Sequence, residues 1–276
     1  MKKLLIFAVL IMTACTDALV NPNDGNGNSQ SGDKRITSCR IVSNGITNEF
    51  RFKYDTEGRI SEMVLYEQFS SGYRMTHHDT LTVMNENNKV TMALIGYEDD
   101  DEYRYEDLYS FTLDNNGLAT SFLYSYYDYF IQAPTQRQKP LLYGDGYLLG
   151  IYLDNHSDDF DYSNFVWENG NLVRLDDDIL FSYTNKPDKS FISELFPFLI
   201  EFDGPSIDDI MMSNSLCYIG YVNGFLGKPS RNLMESLTYD PDYRVDFNYE
   251  FDSDGYVTSA TAVFDDGSYF IEFTYE

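Results

Sequence analysis

One turn signature recurs along this chain and limits what it can fold into. In Phe52-Lys53-Tyr54-Asp55-Thr56-Glu57-Gly58-Arg59-Ile60, two aromatic residues at a spacing of two mark one face of a strand. An Asp follows, a Gly stands three positions on, and a second apolar run leaves. The Asp side chain suits a cap on the backbone two residues ahead, and the Gly suits a left-handed backbone that a β-carbon disfavours. The spacing returns at Phe111, Leu113, Asp114, Gly117, Ala119 and at Tyr249, Phe251, Asp252, Gly255, Val257. A further copy, Thr82, Met84, Asn85, Asn88, Val90, has Asn88 in the glycine position, and Asn is the residue that best replaces Gly there. Shorter turns carry Gly146 after Asp145, Gly170 after Asn169, and Gly267 after Asp265-Asp266. Gly-containing turns between alternating runs are the strongest short-range hairpin signal. Seven in succession predict a meander.

The arms alternate as well. In the final run Tyr269, Ile271, Phe273 and Tyr275 share a face, while Glu272 and Thr274 stand on the other with Phe270. One packed face and one wet face is what an antiparallel sheet permits. A membrane-spanning barrel requires an outward apolar band with aromatic girdles, and charges interrupt these arms too often for that. The expected class is therefore all-β: a long antiparallel meander forming a strongly curved or barrel-like sheet. Its terminal strands must pair, close or be covered, because a bare edge invites pairing with other chains. The last strand, near 270–275, is expected to pair with 258–264. Between 188 and 239 the turns stop, which predicts a short helical insertion packed on the sheet. Asp188–Phe196 reads as one helix, stopped by Pro197, and Ser206-Ile207-Asp208-Asp209 as the capping box of another.

The amino terminus fixes the compartment. Lys2 and Lys3 precede an unbroken apolar run from Leu4 to Met12, the anatomy of a secretory signal and too short to span a bilayer. Met12-Thr13-Ala14-Cys15 resembles the bacterial lipobox. The resemblance implies cleavage after Ala14 and lipid on Cys15, with several acyl chains giving a stable anchor. The following stretch is rich in Asn, Gly, Asp and Ser with little to bury, and reads as a flexible tether. The expected organisation is a signal peptide over 1–14, lipidated cysteine and tether over 15–37, and a single β domain over 38–276. The expected location is the cell envelope, at the outer membrane, on its periplasmic or surface face.

The tail from Tyr249 to Tyr275, the Phe-x-Tyr-Asp-x-x-Gly-Arg-Ile unit at Phe52–Ile60, and Leu226-Gly227-Lys228-Pro229-Ser230-Arg231-Asn232-Leu233 resemble elements of a family of Bacteroidetes lipoproteins. That family has a porin-like β fold and no assigned activity. The resemblance covers about residues 38–276 and implies a fold, with no catalytic residues to carry over. Tyrosine–aspartate repeat proteins share similar turns.

Composition narrows the chemistry. The formal net charge is −26, and loss of Lys2 and Lys3 with the signal leaves −28. Nucleic acid, which requires clustered cations, is excluded as a partner. Acidic runs at Asp99–Glu102, Asp158-Asp159 with Asp161, Asp176–Asp178, and Asp252 with Asp254 match no EF-hand spacing and read as solvated charge. His77 and His78, adjacent on a strand, point to opposite faces and chelate one ion poorly, and His156 is distant. No nucleophile elbow, zinc helix or phosphate loop occurs, so no cofactor, metal or catalytic residue is assigned. Cys39 and Cys217 read as buried thiols or as a pair. The aromatic stretch Phe122–Phe130 reads as core, with a sugar-stacking platform as the alternative. The functional expectation is a non-enzymatic, membrane-anchored protein with a binding or structural role. A glycan- or calcium-dependent binding lipoprotein is the first alternative and a hydrolase the second.

Overall fold

A computed structural model describes residues 34–43, 46–69, 77–86, 88–98, 103–128, 133–153, 161–177, 179–199, 214–239, 243–265 and 267–276. Sixteen strands, β1 (Ile36–Ser43), β2 (Ile46–Tyr54), β3 (Ile60–Phe69), β4 (His77–Glu86), β5 (Lys89–Glu98), β6 (Tyr103–Leu113), β7 (Ala119–Asp128), β8 (Ala133–Gly144), β9 (Tyr147–Leu153), β10 (Asp161–Glu168), β11 (Asn171–Leu175), β12 (Ile179–Pro187), β13 (Asn232–Tyr239), β14 (Tyr243–Phe251), β15 (Val257–Val263) and β16 (Ser268–Tyr275), form one closed barrel. Each strand pairs antiparallel with its neighbours in sequence. β1 closes the ring on β16, from Ile36 opposite Tyr275 to Val42 opposite Phe270. The terminal edges thus cover each other. β16 also pairs β15 from Ser259–Glu272 to Val263–Ser268, as the tail hairpin requires.

The recurrent turn has one build. Asp55 Oδ1 accepts N–H from Glu57 and Arg59, Asp114 Oδ1 from Asn116 and Leu118, and Asp252 Oδ1 from Asp254 and Tyr256. Gly58, Gly117 and Gly255 stand at φ 81°, 80° and 81°, and the register slips by one residue just before each Asp. These are three-residue hairpin loops closed by a glycine bulge. Asp145-Gly146 and Asn169-Gly170, with positive φ at both residues, are two-residue hairpins of the mirror-image type that matches strand twist. Alanine at Gly255, whose Cβ would meet nothing nearer than 3.5 Å, should therefore cost about 1 kcal/mol from backbone conformation alone, and asparagine less. Urea denaturation of the two variants checks this; equal losses would mean that the turn does not require left-handed backbone.

All of these turns lie at one end of the barrel, and the segment between β12 and β13 closes that end. Helix α1 (Ile192–Leu199) and helix α2 (Asn214–Val222) belong to it and pack on each other. After α2 the chain runs along the turns. The Asn223 amide accepts from Ile60 N and donates to Ile60 O, and Phe225 O accepts from Ala119 N. Lys228 N then donates to Gly146 O, and Arg231 N to Gly170 O. Side chains follow the main chain inward: Tyr218 meets Phe52 at 5.3 Å between rings, and Phe225 meets Phe111 at 4.9 Å. Leu226 and Ile219 are fully buried. This segment is a plug.

Three expectations need correction. The insertion is 188–231, because 232–239 is β13 inside the wall. Leu233 and Met234 are both buried there, as are Ser236 and Leu237, so the strand shows no clean alternation. The first helix begins at Ile192 and runs through Pro197 to Leu199, giving up the one backbone bond that a proline cannot donate. β1 starts at Ile36, two residues inside the stretch read as tether. The capping box at Ser206 lies outside the described residues.

Candidate functional site

The two faces of the wall differ in kind. Inward positions away from the mouth are apolar: Phe111, Met92, Leu148, Ile151, Val245, Ala262 and Ile271 are wholly buried in one cluster. Outward positions carry charge at mid-strand. Arg40 pairs across the wall with both Glu272 and Glu49, and its guanidinium lies 2.8 Å from Glu272. Arg51 bonds Glu49, Lys53 bonds Glu62, and Arg244 bonds Asp246. Among the described residues, exposed large apolar side chains such as Met84, Leu108, Leu180 and Phe270 are single positions between polar ones on the outer face of their strands. A lipid-embedded barrel has the reverse arrangement, apolar outside with a polar lumen. Among the described residues, no helix is long and apolar enough to cross a membrane.

The carboxylates buried at the plug are engaged by the fold. Asp188 accepts N–H from Ser190, Ile192 and Ser193, which caps the start of α1 and holds Phe191 in left-handed backbone at φ 57°. Burial nevertheless pushes its carboxyl above the usual range. Glu194 accepts from Ser230 N at 2.7 Å, and burial pushes its pKa up to about 7. Ser230 Oγ also meets Tyr183 Oη and Leu172 N, while the Asn171 and Asn232 side chains bond each other. These groups latch the plug to the wall; Asp188 accepts three main-chain N–H groups and Glu194 one. Cys39 is a free, buried thiol whose pKa is pushed up by desolvation, an unreactive state.

The end opposite the plug is built differently. There the inner face passes from buried to half-buried: Phe52 gives way to Phe50, Met63 to Leu65, Met92 to Leu94 and Val245 to Tyr243. Tyr239, Tyr243, Phe264 and Tyr269 form a partly exposed aromatic bank on β13 to β16, with Phe264 6.0 Å from Tyr243 and 4.8 Å from Tyr269. Further around the wall the inner positions turn polar. Asn48 and Asp79 stand there, and Lys139 lies 5.8 Å over the Phe122 ring. Among the described residues, Asn48 Oδ1 is buried without a hydrogen-bond partner. Aromatic faces beside amide and charged groups make this mouth the candidate site.

The residues singled out from sequence distribute as follows. Gly58, Gly117, Gly146, Gly170 and Gly255 sit in turns at the plugged end, and Asn88 in the β4–β5 turn, where its carbonyl accepts from Leu113 N. Gly267 closes the β15–β16 turn, its carbonyl accepting from Phe264 N. Cys15 and the runs Asp99–Glu102 and Asp158-Asp159 lie outside the described residues, as does His156. Asp252 and Asp254 hold Lys34 Nζ at 2.5 and 2.8 Å. Asp176 accepts from Asn164 N. Among the described residues no three His, Cys, Asp or Glu side chains gather as a metal site. Phe122 is core, and so the stretch it begins is packed at that end.

No family model matches this chain, and no curated protein matches it. Among solved structures, a porin-like protein from Bacteroides uniformis is similar at a TM-score of 0.65 and 17% identity, over 87% of this chain and 98% of that one. A porin-like protein from Bacteroides vulgatus aligns over 88% and 99% at 10% identity, with a TM-score of 0.32. The first likeness establishes the class: an all-β, porin-like sixteen-stranded barrel.

Proposed function

We propose that this protein is a cell-envelope lipoprotein whose barrel stands in water and holds a ligand at the mouth opposite the plug. The observation that supports it most is the Glu272–Arg40–Glu49 row across the outer wall at mid-strand. Charges there are costly in hydrocarbon, by roughly 2–4 kcal/mol for a cation at the midplane. Membrane attachment then falls to the lipobox-like Met12–Cys15, with lipid on Cys15. At the mouth, the bank of Tyr239, Tyr243, Phe264 and Tyr269 offers ring faces, and Asn48 offers an unused acceptor. Flat apolar faces beside a few placed polar groups recognise sugar rings, which present C–H faces and hydroxyl edges. A glycan is therefore the ligand class, and the role is binding rather than turnover.

Two measurements test this. Radiolabelled fatty acid should enter the wild-type protein and be absent from Cys15→Ala; label retained by the variant would refute the anchor. On a glycan array, the protein should bind at least one oligosaccharide class. Tyr243→Ala and Tyr269→Ala should weaken that binding at least tenfold at temperatures where both variants remain folded. Binding untouched by either change, or sustained turnover of a polysaccharide, would overturn the mouth assignment or the non-enzymatic role respectively.

A further inference from the structure

We infer that the plugged end of the barrel faces the membrane, against phosphate-bearing lipid headgroups, and that the mouth faces away from it. This rests on the lipid-anchor reading of Cys15. The chain joins the barrel at the plugged end. Arg35 and Glu276 exchange backbone hydrogen bonds there, at 3.2 and 3.0 Å. One residue earlier, Lys34 is fastened to the β14–β15 turn through Asp252 and Asp254, and its own N–H donates to the Tyr256 hydroxyl. A tether running from Cys15 to Lys34 with this Gly/Asn/Ser composition has a root-mean-square span of about 25 Å. A nine-residue strand such as β2 spans about 30 Å. The rim that receives the tether therefore lies within its ordinary reach of the bilayer, and the mouth is a full wall length farther on.

Charge acts in the same direction. At the plugged rim, cations lie over the turns: Arg35 over Gly58, Lys228 over Gly146, Arg231 beside Gly170 and Lys189 beside Gly255. They are matched by Asp55, Glu57, Asp252 and Asp254, and Asp114 and Asp145 stand in neighbouring turns, so that rim is mildly acidic with its cations interspersed. The sequence stretches that join strands at the other end are strongly acidic. They include Asp99–Glu102 between β5 and β6, Asp158-Asp159 between β9 and β10, Asp176–Asp178 between β11 and β12, Asp240 and Asp242 between β13 and β14, and Asp265-Asp266 between β15 and β16. An anionic membrane surface repels the acidic end and tolerates the cation-bearing one, with a force that decays over a Debye length of about 10 Å at 0.1 M salt. The tether and the charge gradient thus set the same polarity. The mouth is presented outward, where a long polymer could reach it without crossing the bilayer surface.

The test uses the lipidated protein in vesicles of mixed neutral and anionic phospholipid carrying a headgroup quencher. Glu57→Cys at the plugged rim and Asp265→Cys at the mouth, both exposed positions, each take a thiol-reactive fluorophore. The buried Cys39 is shielded, and labelling of the parent chain supplies the background. Quenching should be at least threefold stronger for the probe at position 57. The difference should grow with the anionic fraction and shrink in high salt. Equal quenching, or stronger quenching at 265, would overturn the orientation. Mass analysis of the amino-terminal peptide scores the anchor separately: an unacylated peptide defeats the anchor reading and this inference with it, whereas an acylated protein with the wrong quenching order defeats the orientation alone.

Discussion

Gly227→Ala is expected to lower the unfolding free energy by about 3 kcal/mol or more, one of the largest effects available to a single methyl group in this chain. Gly227 has φ 89°, and an added Cβ would stand 2.5 Å from the Gly146 carbonyl oxygen, a backbone atom that cannot swing aside. That same oxygen accepts the Lys228 N–H at 2.8 Å, so relieving the clash breaks the latch between plug and wall. Gly224 is the internal control. Its φ is 81°, but nothing lies within 4 Å of an added Cβ, so Gly224→Ala should cost only the left-handed backbone, about 1 kcal/mol. Urea denaturation of both variants measures the difference. Equal losses would mean that the 226–233 segment does not clamp the β8–β9 turn.

The second large effect is a pH dependence seated on Glu194. Its folded pKa, about 7, lies above that of an unfolded glutamate because the carboxyl is buried, partly countered by the Ser230 N–H and hydroxyl. The folded state therefore holds this proton more tightly than the unfolded chain. That stabilisation is complete below about pH 4.5 and is lost as pH rises through 7. The loss is on the order of 2 kcal/mol, less than the full shift implies because the residue keeps some contact with water. Asp188, also raised by burial, adds in the same direction. Glu194→Gln keeps an acceptor for Ser230 N but cannot ionise. Its stability should match wild type near pH 4 and exceed it at pH 8, as read from denaturation curves across that range. A variant that tracks wild type at every pH would mean that Glu194 ionises without strain.

Much of the wall was legible because each hairpin states itself locally. An Asp whose oxygen takes two N–H groups and a Gly at positive φ leave a signature five residues long, and the pattern of Phe52–Ile60 returns at Tyr249–Val257 with the Asp and the Gly identical. That the terminal edges had to be satisfied was legible; whether by closing, curling or covering was not, and β1 and β16 settle it by pairing. The plug was legible only as an interruption. Its clamps are main-chain bonds to distant turns, Lys228 N to Gly146 O and Arg231 N to Gly170 O, which no side chain announces. The Leu226–Leu233 segment stood out as a motif, yet its role emerges only when Gly227 is seen against Gly146. β13 was absorbed into the insertion because the wall and the plug together bury adjacent residues there.

The mouth was less legible still. The densest aromatic stretch in the sequence begins at Phe122, whose ring is buried in the core. The aromatic bank at the mouth comes instead from two hairpin tips, with Tyr239 and Tyr243 flanking one and Phe264 and Tyr269 the other. Aromatic residues at both shoulders of a hairpin tip were the available signal. Asn48 carried none: an amide in a strand is ordinary until its oxygen is found enclosed and unpaired.

The central claim is that the barrel keeps its apolar face inside and its charged face in water. The most direct measurement is size-exclusion chromatography with light scattering on the Cys15→Ala chain, signal removed, in buffer without detergent, followed by urea unfolding monitored through Trp167. Trp167 donates its indole N–H to Leu148 O inside the wall and so reports on it. The account predicts a soluble, folded species with a single cooperative transition that detergent does not stabilise. A chain that aggregates in plain buffer and acquires β structure only in micelles would contradict it.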